Sequence, residues 1–216
     1  MSKSTPARRA RFIADAGVTV LVDIGAHVGT YASAARRAGF TGRIESFEPL
    51  HGPYETLRAQ AEGDQLWHCH RVALGDSSGT LTMHVAGNEV SSSALAMLPR
   101  HLEGNPRSGY VRTEDAPATT LDEVPVAGPS DVLYVKIDVQ GYERRVLAGA
   151  TRTLRQAALV ELELSLVQLY EDGPLAAEMI QYLAGLGFEP IWLDPAFYDE
   201  RTGRMLQVDA IFARVP

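Results

Sequence analysis

The segment of residues 18–31 constrains the fold of this chain more than any other. An apolar, β-branched run ends at Asp23, the glycines Gly25 and Gly29 follow, and an alanine-rich stretch begins at Tyr31. This order predicts a buried strand, a tight turn and the start of a helix. Because glycine has no Cβ, a ligand can approach the backbone of such a turn, and the first amides of the helix can meet its polar or anionic groups. The alternative is an ordinary strand-to-helix turn that binds nothing.

An acid follows the next predicted strand. That strand covers residues 42–47, and Glu48 lies 25 residues after Asp23. At this point of a β–α–β unit, a carboxylate can accept hydrogen bonds from both ribose hydroxyls of an adenosine-type ligand. His27 stands where a dinucleotide fingerprint has its middle glycine, so NAD fits this turn less well. The alternative for Glu48 is a helix-capping or surface acid, because Pro49 follows it.

The rest of the chain alternates between strand and helix patterns, without internal repeats or linkers, which indicates one α/β domain. Further strands are predicted over residues 66–73, 80–85, 132–138, 158–165, 188–193 and 208–214. Helices are predicted over residues 5–16, 53–61, 143–147 and 174–186. The short link between the last two strands implies an antiparallel pair. Ligands of parallel sheets lie outside the carboxyl ends of the strands, so we expect residues 73–76 beside Glu48, in contact with a base.

Residues 86–117 lack clear periodicity and are rich in glycine, serine, proline and charged residues. So long an irregular segment within a compact domain is either disordered or a functional lid. We favour the lid, with a short helix over residues 94–98. Of its members, we expect Ser91, Ser92 and Tyr110 to touch a ligand.

Acids also lie in the two central strands that follow this segment. Asp138 ends one of them and faces the same cleft as Asp23, and Lys136 lies on the same face because strand side chains alternate. An ammonium group in so apolar a strand needs a partner, which the nearby acids can supply. In the next strand, Glu161 and Glu163 share one face, and Glu163 lies at the strand end, beside the cleft. The alternative for this pair is a polar sheet face.

Composition narrows the classes of function. The 216 residues include 20 Lys and Arg against 27 Asp and Glu, a formal charge of −7, which argues against nucleic acid as a partner. The single cysteine, Cys69, excludes an internal disulfide and indicates a reducing compartment. We find no apolar run of about 18 residues and no signal peptide, so we expect a cytoplasmic protein that does not enter membranes. The basic residues near the N-terminus are expected to form a solvated helix face: Lys3, Arg8, Arg9 and Arg11.

These motifs resemble those of the FkbM family of class I methyltransferases, which use S-adenosylmethionine (SAM). The resemblance covers residue 18 to the C-terminus and is most specific around Asp138. It rests on Val22-Asp23-Ile24-Gly25-Ala26-His27-Val28-Gly29, Phe47-Glu48-Pro49, Ala73-Leu74-Gly75-Asp76, Lys136-Ile137-Asp138-Val139-Gln140-Gly141-Tyr142-Glu143 and Glu163-Leu164-Ser165. The chain departs from the family at two positions. It has His27 where asparagine is common, and Gln140 where glutamate is common, which removes a charge near the reaction centre.

The resemblance implies both a fold and a cofactor site. The fold is a single α/β domain over residues 1–216, with a Rossmann-like seven-stranded mixed sheet, helices on both faces and an antiparallel last strand. Residues 1–17 would hold an N-terminal helix and residues 86–117 the lid. The ribose of SAM is expected on Glu48 and its methionine end at the glycine turn. The expected cofactor contacts are Asp23, Gly25, Ala26, His27, Gly29, Thr30, Glu48, Pro49, Ala73, Leu74 and Asp138.

The implied reaction is methyl transfer to an oxygen of a small-molecule or sugar-like acceptor. The expected acceptor contacts are Ser91, Ser92, Gln140 and Tyr142. Asp138 is expected to act as the base, with Lys136 tuning its charge and Glu163 beside it. The two carboxylates, Asp138 and Glu163, could instead hold Mg²⁺, but such a site usually has more ligands, so we do not favour a metal. The sequence is compatible with a homodimer.

Three other functions remain as alternatives at this point. The chain could be a non-catalytic module that keeps the fold and acts through partners, although it retains Asp23, Glu48 and Asp138. It could be an NAD-dependent oxidoreductase built on the same β–α–β unit. A nucleic-acid methyltransferase is the weakest alternative. Amino-group methylation of bases uses an Asn/Asp-Pro-Pro-aromatic sequence, where this chain has Asp138-Val139-Gln140-Gly141.

Overall fold

Seven strands form the central sheet in the computed structural model, which describes residues 5–215. They are β1 (Val20–Ile24), β2 (Arg43–Phe47), β3 (Trp67–His70), β7 (Leu133–Ile137), β8 (Ala157–Ser165), β9 (Phe188–Asp199) and β10 (Arg204–Arg214). Their order is β3-β2-β1-β7-β8-β10-β9. Neighbours from β3 to β8 are parallel, whereas β10 is antiparallel to both β8 and β9. The predicted mixed sheet with an antiparallel last strand is confirmed.

Helices cover both faces of this sheet, because its strands are apolar on both sides. One face packs against α1 (Thr5–Asp15), α2 (Thr30–Arg37) and α3 (His51–Ala61). The other packs against α5 (Glu143–Ala148) and α6 (Ala176–Gly185). The remaining helix, α4 (Pro99–Gly104), belongs to the segment between β5 and β6. Among the described residues, no helix has the length and hydropathy that crossing a membrane requires.

A second, three-stranded sheet contains β4 (Ala73–Leu74), β5 (Gly79–Ala86) and β6 (Tyr110–Thr119), in the order β4-β6-β5. The prediction of one strand over residues 66–73 is therefore wrong. That stretch divides between β3 and β4, which lie in different sheets. Phe47 is the last residue of β2 and pairs with His70, so β2 offers β3 no strand partner beyond that point.

The segment of residues 86–117 is more regular than its sequence indicates. Its last eight residues belong to β6, which pairs antiparallel with β5. Most β6 side chains are exposed or half-buried, so the alternation that reveals a strand is missing. The helix predicted over 94–98 is wrong, because α4 begins at Pro99, a favoured first helical residue. Residues 97–98 instead pair with residues 169–170. The role of the segment as a lid stays a prediction.

A row of charged side chains crosses the centre of the sheet. The strand register aligns Asp23 with Lys136 and Lys136 with Glu161, so all three side chains lie on the face that α1 covers. Glu161 is 3% exposed and accepts hydrogen bonds from the Tyr31 and Tyr134 hydroxyls. The row therefore places ionisable groups in a core where each needs a partner.

The N-terminal arginines do not all form a solvated face, and for Arg9 this expectation is wrong. Its Nε lies 2.7 and 3.0 Å from the two carboxylate oxygens of Glu161, and its side chain also contacts Asp209 at 3.0 Å. Arg8 stacks over the ring of Trp192, with 3.8 Å between its guanidinium carbon and the ring centroid. Arg11 is exposed as expected. Lys3 lies outside the described residues.

We predict that Arg9→Ala lowers the free energy of unfolding by about 3–5 kcal/mol, because it leaves the buried Glu161 carboxylate without its cation. Urea denaturation of both proteins measures the loss. The matched control is Arg11→Ala in the same helix, which breaks an exposed pair with Asp15 and should cost less than about 0.5 kcal/mol. Equal losses in the two variants would contradict the structural role of Arg9.

Candidate active site

Two adjoining cavities open at the carboxyl ends of β1, β2 and β7, where the sequence places its candidate residues. The first has a volume of about 120 Å³ and the second about 30 Å³. The first is lined by Gly25, His27, Glu48, Pro49, Leu50, Met83, Glu89, Val90, Ser92, Asp138, Val139 and Gln140. The second is lined by Ile24, Gly25, Phe47, Pro49, Val72, Ala73, Leu74, Leu81, Met83, Ala94, Val139 and Tyr142. The shared lining residues make them one cleft.

The glycine turn after β1 is built by contacts within the protein. A Cβ at Gly25, where φ is +73°, would lie 1.9 Å from the carbonyl oxygen of Asp138. The amides of Gly25 and Ala26 both donate to the carbonyl of Phe47, at 3.0 Å each. The first glycine is therefore required for the approach of two strand ends, and these two amides already have acceptors on β2. The expectation that the first amides of α2 meet a ligand concerns other groups and stays a prediction.

Glu48 joins the turn to the end of β2. Its Oε2 accepts the amide of His27 at 2.8 Å, and its Oε1 accepts the amide of Leu50 at 2.9 Å. The side chain is buried, and burial raises the pKa of the carboxyl to about 7, in spite of the two amides that favour the charged form. Each carboxylate oxygen has a second lone pair, so Glu48 keeps acceptor capacity toward the cavity.

Lys136 lies between the acids that end β1 and β7. Its Nζ is 3.3 Å from Asp23 Oδ1 and 3.6 Å from Asp138 Oδ2, and it donates to the Gly25 carbonyl at 3.2 Å. The partners predicted for this ammonium are confirmed. Asp23 is fully buried, and neither of its carboxylate oxygens accepts a hydrogen bond. Burial raises the pKa of Asp23, whereas the two acids raise the pKa of Lys136 against the effect of its own burial.

The side-chain amide of Gln140 bridges Asp138 and Glu163. The Nε2 of Gln140 donates to Asp138 Oδ1 at 2.8 Å and to Glu163 Oε2 at 2.9 Å. Glu163 also accepts from Gln207 Nε2 at 2.7 Å. Burial and the charge of Asp138 raise the pKa of Glu163 well above its usual value. Asp138 keeps an exposed side at the cavity, with 35% of its side chain accessible.

Several predicted contacts lie away from the cavities. Ala26 packs in the core beside α2, and Gly29 packs against Leu57 and Trp67, where a Cβ would lie 2.9 Å from the nearest atom. Thr30 is exposed at the start of α2. The remaining two lie in the segment that follows β5: the Ser91 hydroxyl bonds to Asn88, and the Tyr110 hydroxyl donates to the Leu95 carbonyl. Their side chains are occupied by local structure, so these five line neither cavity.

Five residues of the first cavity were not among the candidates from the sequence: Leu50, Met83, Glu89, Val90 and Val139. Met83 could have been found, because β5 alternates and one of its faces is apolar. Glu89 carries no such signal, since it lies in an irregular turn at a φ of +60°. Its carboxylate is 3.9 Å from His27 Nε2. The wall opposite the glycine turn is therefore supplied by the segment that follows β5.

Metal ligation has little support in the described part of the chain. Within residues 5–215, no group of three or more His, Cys, Asp or Glu side chains is arranged to hold a metal ion. Asp138 and Glu163 form a pair only, and the amide of Gln140 bridges them.

The sequence matches the family model described as "Methyltransferase FkbM domain" over residues 23–190. The chain belongs to the FkbM methyltransferase family. The match includes every candidate residue of the cleft. Membership supports a methyltransferase enzyme with SAM as its cofactor and removes the reason to consider an oxidoreductase. No protein of curated function matches the chain.

Solved structures share the fold of this FkbM methyltransferase. One is a putative S-adenosylmethionine-dependent methyltransferase from Listeria monocytogenes, with a TM-score of 0.55 and 7% identity over 99% of this chain and 100% of that one. An rRNA methylase from Streptococcus thermophilus has a TM-score of 0.54 and 11% identity, over 100% of this chain and 99% of that one. A putative RNA methyltransferase from Pyrococcus horikoshii has a TM-score of 0.51 and 12% identity, over 98% of this chain and 82% of that one. At such identities these likenesses establish the fold alone, so the expectation of no nucleic-acid partner stays a prediction.

We predict that Gly25→Ala destabilises the protein by more than about 1 kcal/mol beyond the cost of a positive φ, because its Cβ would overlap the Asp138 backbone. Thermal or urea unfolding measures this. The control is Gly39→Ala, where φ is +95° but nothing lies within 4 Å of the added Cβ. If both variants lost the same stability, the close approach of the two strand ends would not be the reason for this glycine.

Proposed function

We propose that this chain is an O-methyltransferase that transfers the methyl group of SAM to a hydroxyl of a small-molecule or sugar-like acceptor. The observation that carries the proposal is a cleft lined by the carboxylates of Glu48 and Asp138, with another carboxylate, Asp23, buried near it in β1. Asp23 and Glu48 are buried at the ends of β1 and β2, and Asp138 is half-buried at the end of β7. The first two suit recognition of a cofactor, and the third is accessible to an acceptor.

The cleft fits SAM at both ends of the molecule. Asp23 has Lys136 as a counterion at 3.3 Å, but neither of its oxygens accepts a hydrogen bond, so an ammonium group reaching this side chain would give the buried carboxylate a donor. Glu48 offers free lone pairs to ribose hydroxyls, and the second cavity, with Ala73, Leu74 and Tyr142 in its wall, offers apolar surface to a base. When bound, SAM supplies a methyl group on a sulfonium centre.

Admission of SAM requires part of the lid to move. Cavities for ligands of such size have volumes of roughly 300 Å³ or more, well above the volume of this cleft. Glu89, Val90 and Ser92 wall the first cavity on its outer side. We therefore propose that the lid of residues 86–117 opens and closes at this wall.

Asp138 is the proposed base. Its accessible carboxylate can take the proton that an acceptor hydroxyl loses, which typically contributes about 10²–10⁴-fold in rate. Lys136 stays charged between Asp23 and Asp138, so it serves as a fixed counterion that favours the ionised base. Glu163 and Gln140 complete the surroundings of Asp138. Mg²⁺ held by Asp138 and Glu163 is the less favoured arrangement.

The acceptor is proposed to be a small molecule rather than a nucleic acid, since a formal charge of −7 opposes binding to phosphates. Incubation with SAM and a panel of hydroxylated metabolites, followed by mass spectrometry, tests the proposal. A gain of one methyl group on a hydroxyl supports it. Methylation of RNA, or of nitrogen only, would contradict it.

We predict that Glu48→Gln weakens SAM binding by about 1–3 kcal/mol at pH 8, because ribose hydroxyls lose a charged acceptor. In the unmodified protein, affinity should fall as the pH drops through about 7, by up to about tenfold per pH unit. The sign follows because the buried acid then holds a proton that binding must displace. Calorimetry across pH 6–8 measures both effects.

Two controls accompany this measurement. Glu55→Gln, an exposed position in α3, should leave affinity unchanged. The component of the pH dependence that comes from Glu48 should be missing in Glu48→Gln. An unchanged affinity and an unchanged slope in that variant would remove Glu48 from the SAM site.

We predict that Asp138→Asn lowers turnover about 10²–10⁴-fold while SAM affinity stays nearly intact, because the change removes the base and keeps its shape. Turnover is measured with an acceptor from the metabolite panel, and affinity by calorimetry. Asp15→Asn, an exposed acid paired with Arg11 in α1, is the control. Turnover at the unmodified rate would refute the role of Asp138. Loss of activity in EDTA with recovery in Mg²⁺ would favour the metal arrangement.

A further inference from the structure

Both the nitrogen and the oxygen of the Gln140 side-chain amide make hydrogen bonds. Its Nε2 donates to Asp138 and Glu163, and its Oε1 accepts the hydroxyl of Tyr170 at 2.6 Å. The backbone of Gln140 has a φ of +55°, a conformation that a residue other than glycine adopts only when its surroundings fix it. Its carbonyl accepts the Ser93 hydroxyl at 2.7 Å.

A chain of buried groups leads away from this amide. Tyr170 is 1% exposed, and its hydroxyl oxygen also lies 3.0 Å from His101 Nε2. His101 is 2% exposed, and its Nδ1 lies 2.9 Å from the Ser108 hydroxyl. His101 and Ser108 belong to α4 and to the turn that follows it, within the lid segment. The lid is thus connected to Asp138 through side chains that line no part of the cleft except Gln140.

The protons available determine which group donates at each hydrogen bond between Gln140, Tyr170 and His101. The amide oxygen of Gln140 can only accept, so the Tyr170 hydroxyl must donate its one proton to that oxygen. His101 must then donate to Tyr170 through Nε2. Burial lowers the pKa of His101 to about 4, so the neutral ring has no second proton, and its Nδ1 can only accept. The Ser108 hydroxyl lies 2.9 Å from this Nδ1 and 2.6 Å from the Asn105 carbonyl, so its one proton has two acceptors. The same carbonyl also accepts the Ser108 amide at 3.1 Å.

The other tautomer does not fit the distances. With the proton on Nδ1, the Tyr170 hydroxyl would donate to the ring, and its oxygen would face the Gln140 oxygen at 2.6 Å with no proton between them. Turning the amide around would place its oxygen against Asp138 and Glu163 instead. With Asp138 ionised, only the Nε2–H tautomer satisfies the contacts of both Gln140 and Tyr170.

We propose that Tyr170 and His101 are positioning residues of the reaction centre, which orient the Gln140 amide so that its NH₂ group holds Asp138 and Glu163 in place. The catalytic part of this proposal rests on the proposed function. The amide donates to Asp138 and so favours the ionised form that a base requires. Because His101 and Ser108 lie on the lid segment, this arrangement is complete only when that segment is docked.

The proposal also explains the departure from glutamate at position 140. A carboxylate there has no N–H to donate, and it would be a third acid beside Asp138 and Glu163. Glutamine provides two donors to the same two acids. In this chain, residue 140 therefore acts as a donor to the base rather than as an acid.

The first experiment reads the chain of hydrogen bonds without SAM or acceptor. In the ¹⁵N-labelled full-length protein, NMR of the histidine rings should find His101 as the neutral Nε2–H tautomer, with signals assigned by their loss in His101→Gln. The side-chain NH₂ signals of Gln140, assigned with Gln140→Glu, should move toward free-amide positions in Tyr170→Phe and stay in place in Tyr198→Phe, an exposed control. An Nδ1–H tautomer, or Gln140 signals indifferent to Tyr170→Phe, would overturn the proposal.

The second experiment measures the effect on turnover with an acceptor from the metabolite panel. Tyr170→Phe should lower kcat by up to about tenfold, the worth of one hydrogen bond between neutral groups, with the KM for SAM within about twofold. The acidic limb of its pH–kcat profile should move to higher pH. His101→Gln keeps an N–H for Tyr170 and should retain more activity than His101→Leu.

The outcomes separate this proposal from the proposed function. An unchanged kcat and pH profile in a folded Tyr170→Phe protein would overturn the positioning role, while SAM binding and turnover would stand. Failure of the unmodified protein to bind SAM would instead refute the proposed function. The NMR result would still decide the orientation of Gln140.

Discussion

The buried ammonium of Lys136 is the interaction on which the rest of the site depends. It reaches two carboxylates and a carbonyl that come from the ends of β1 and β7. An isolated charge in such a core would be too costly to keep, so the acids must converge on it. Their convergence brings the Gly25 turn against the Asp138 backbone. The position of the cleft therefore follows from how one cation is neutralised.

The backbone and the side chains of this cleft have different tasks. The turn amides of Gly25 and Ala26 bond to β2, and both turn glycines make close contacts that exclude a Cβ. Glu48 and Asp138, by contrast, line the cavity with carboxylates that keep free lone pairs. This division explains why a turn without the middle glycine of a dinucleotide site can still belong to a Rossmann-like enzyme. No pyrophosphate has to approach its backbone.

Much of the fold could be predicted because β-branched runs and terminal acids are local signals. The strands around Asp23 and Asp138 were found in this way. Exposed β6 was missed, since its side chains lack apolar alternation. The buried pairing of Arg9 was missed for another reason. Its partner is 152 residues distant, and only the tertiary fold brings them together. The same holds for Tyr170 and His101, which carry no motif.

The distance in sequence between Arg9 and its partners also has a consequence for synthesis. Glu161 and Asp209 are translated 152 and 200 residues after this arginine. At about 5–20 residues per second, α1 is synthesised roughly 10–40 s before its last partner. During that interval the sheet lacks at least one of the two strands, β8 and β10, that carry the acids bound by Arg9. A chaperone that binds short amphipathic helices at the ribosome would therefore have more time to bind this helix than any helix made later in the chain.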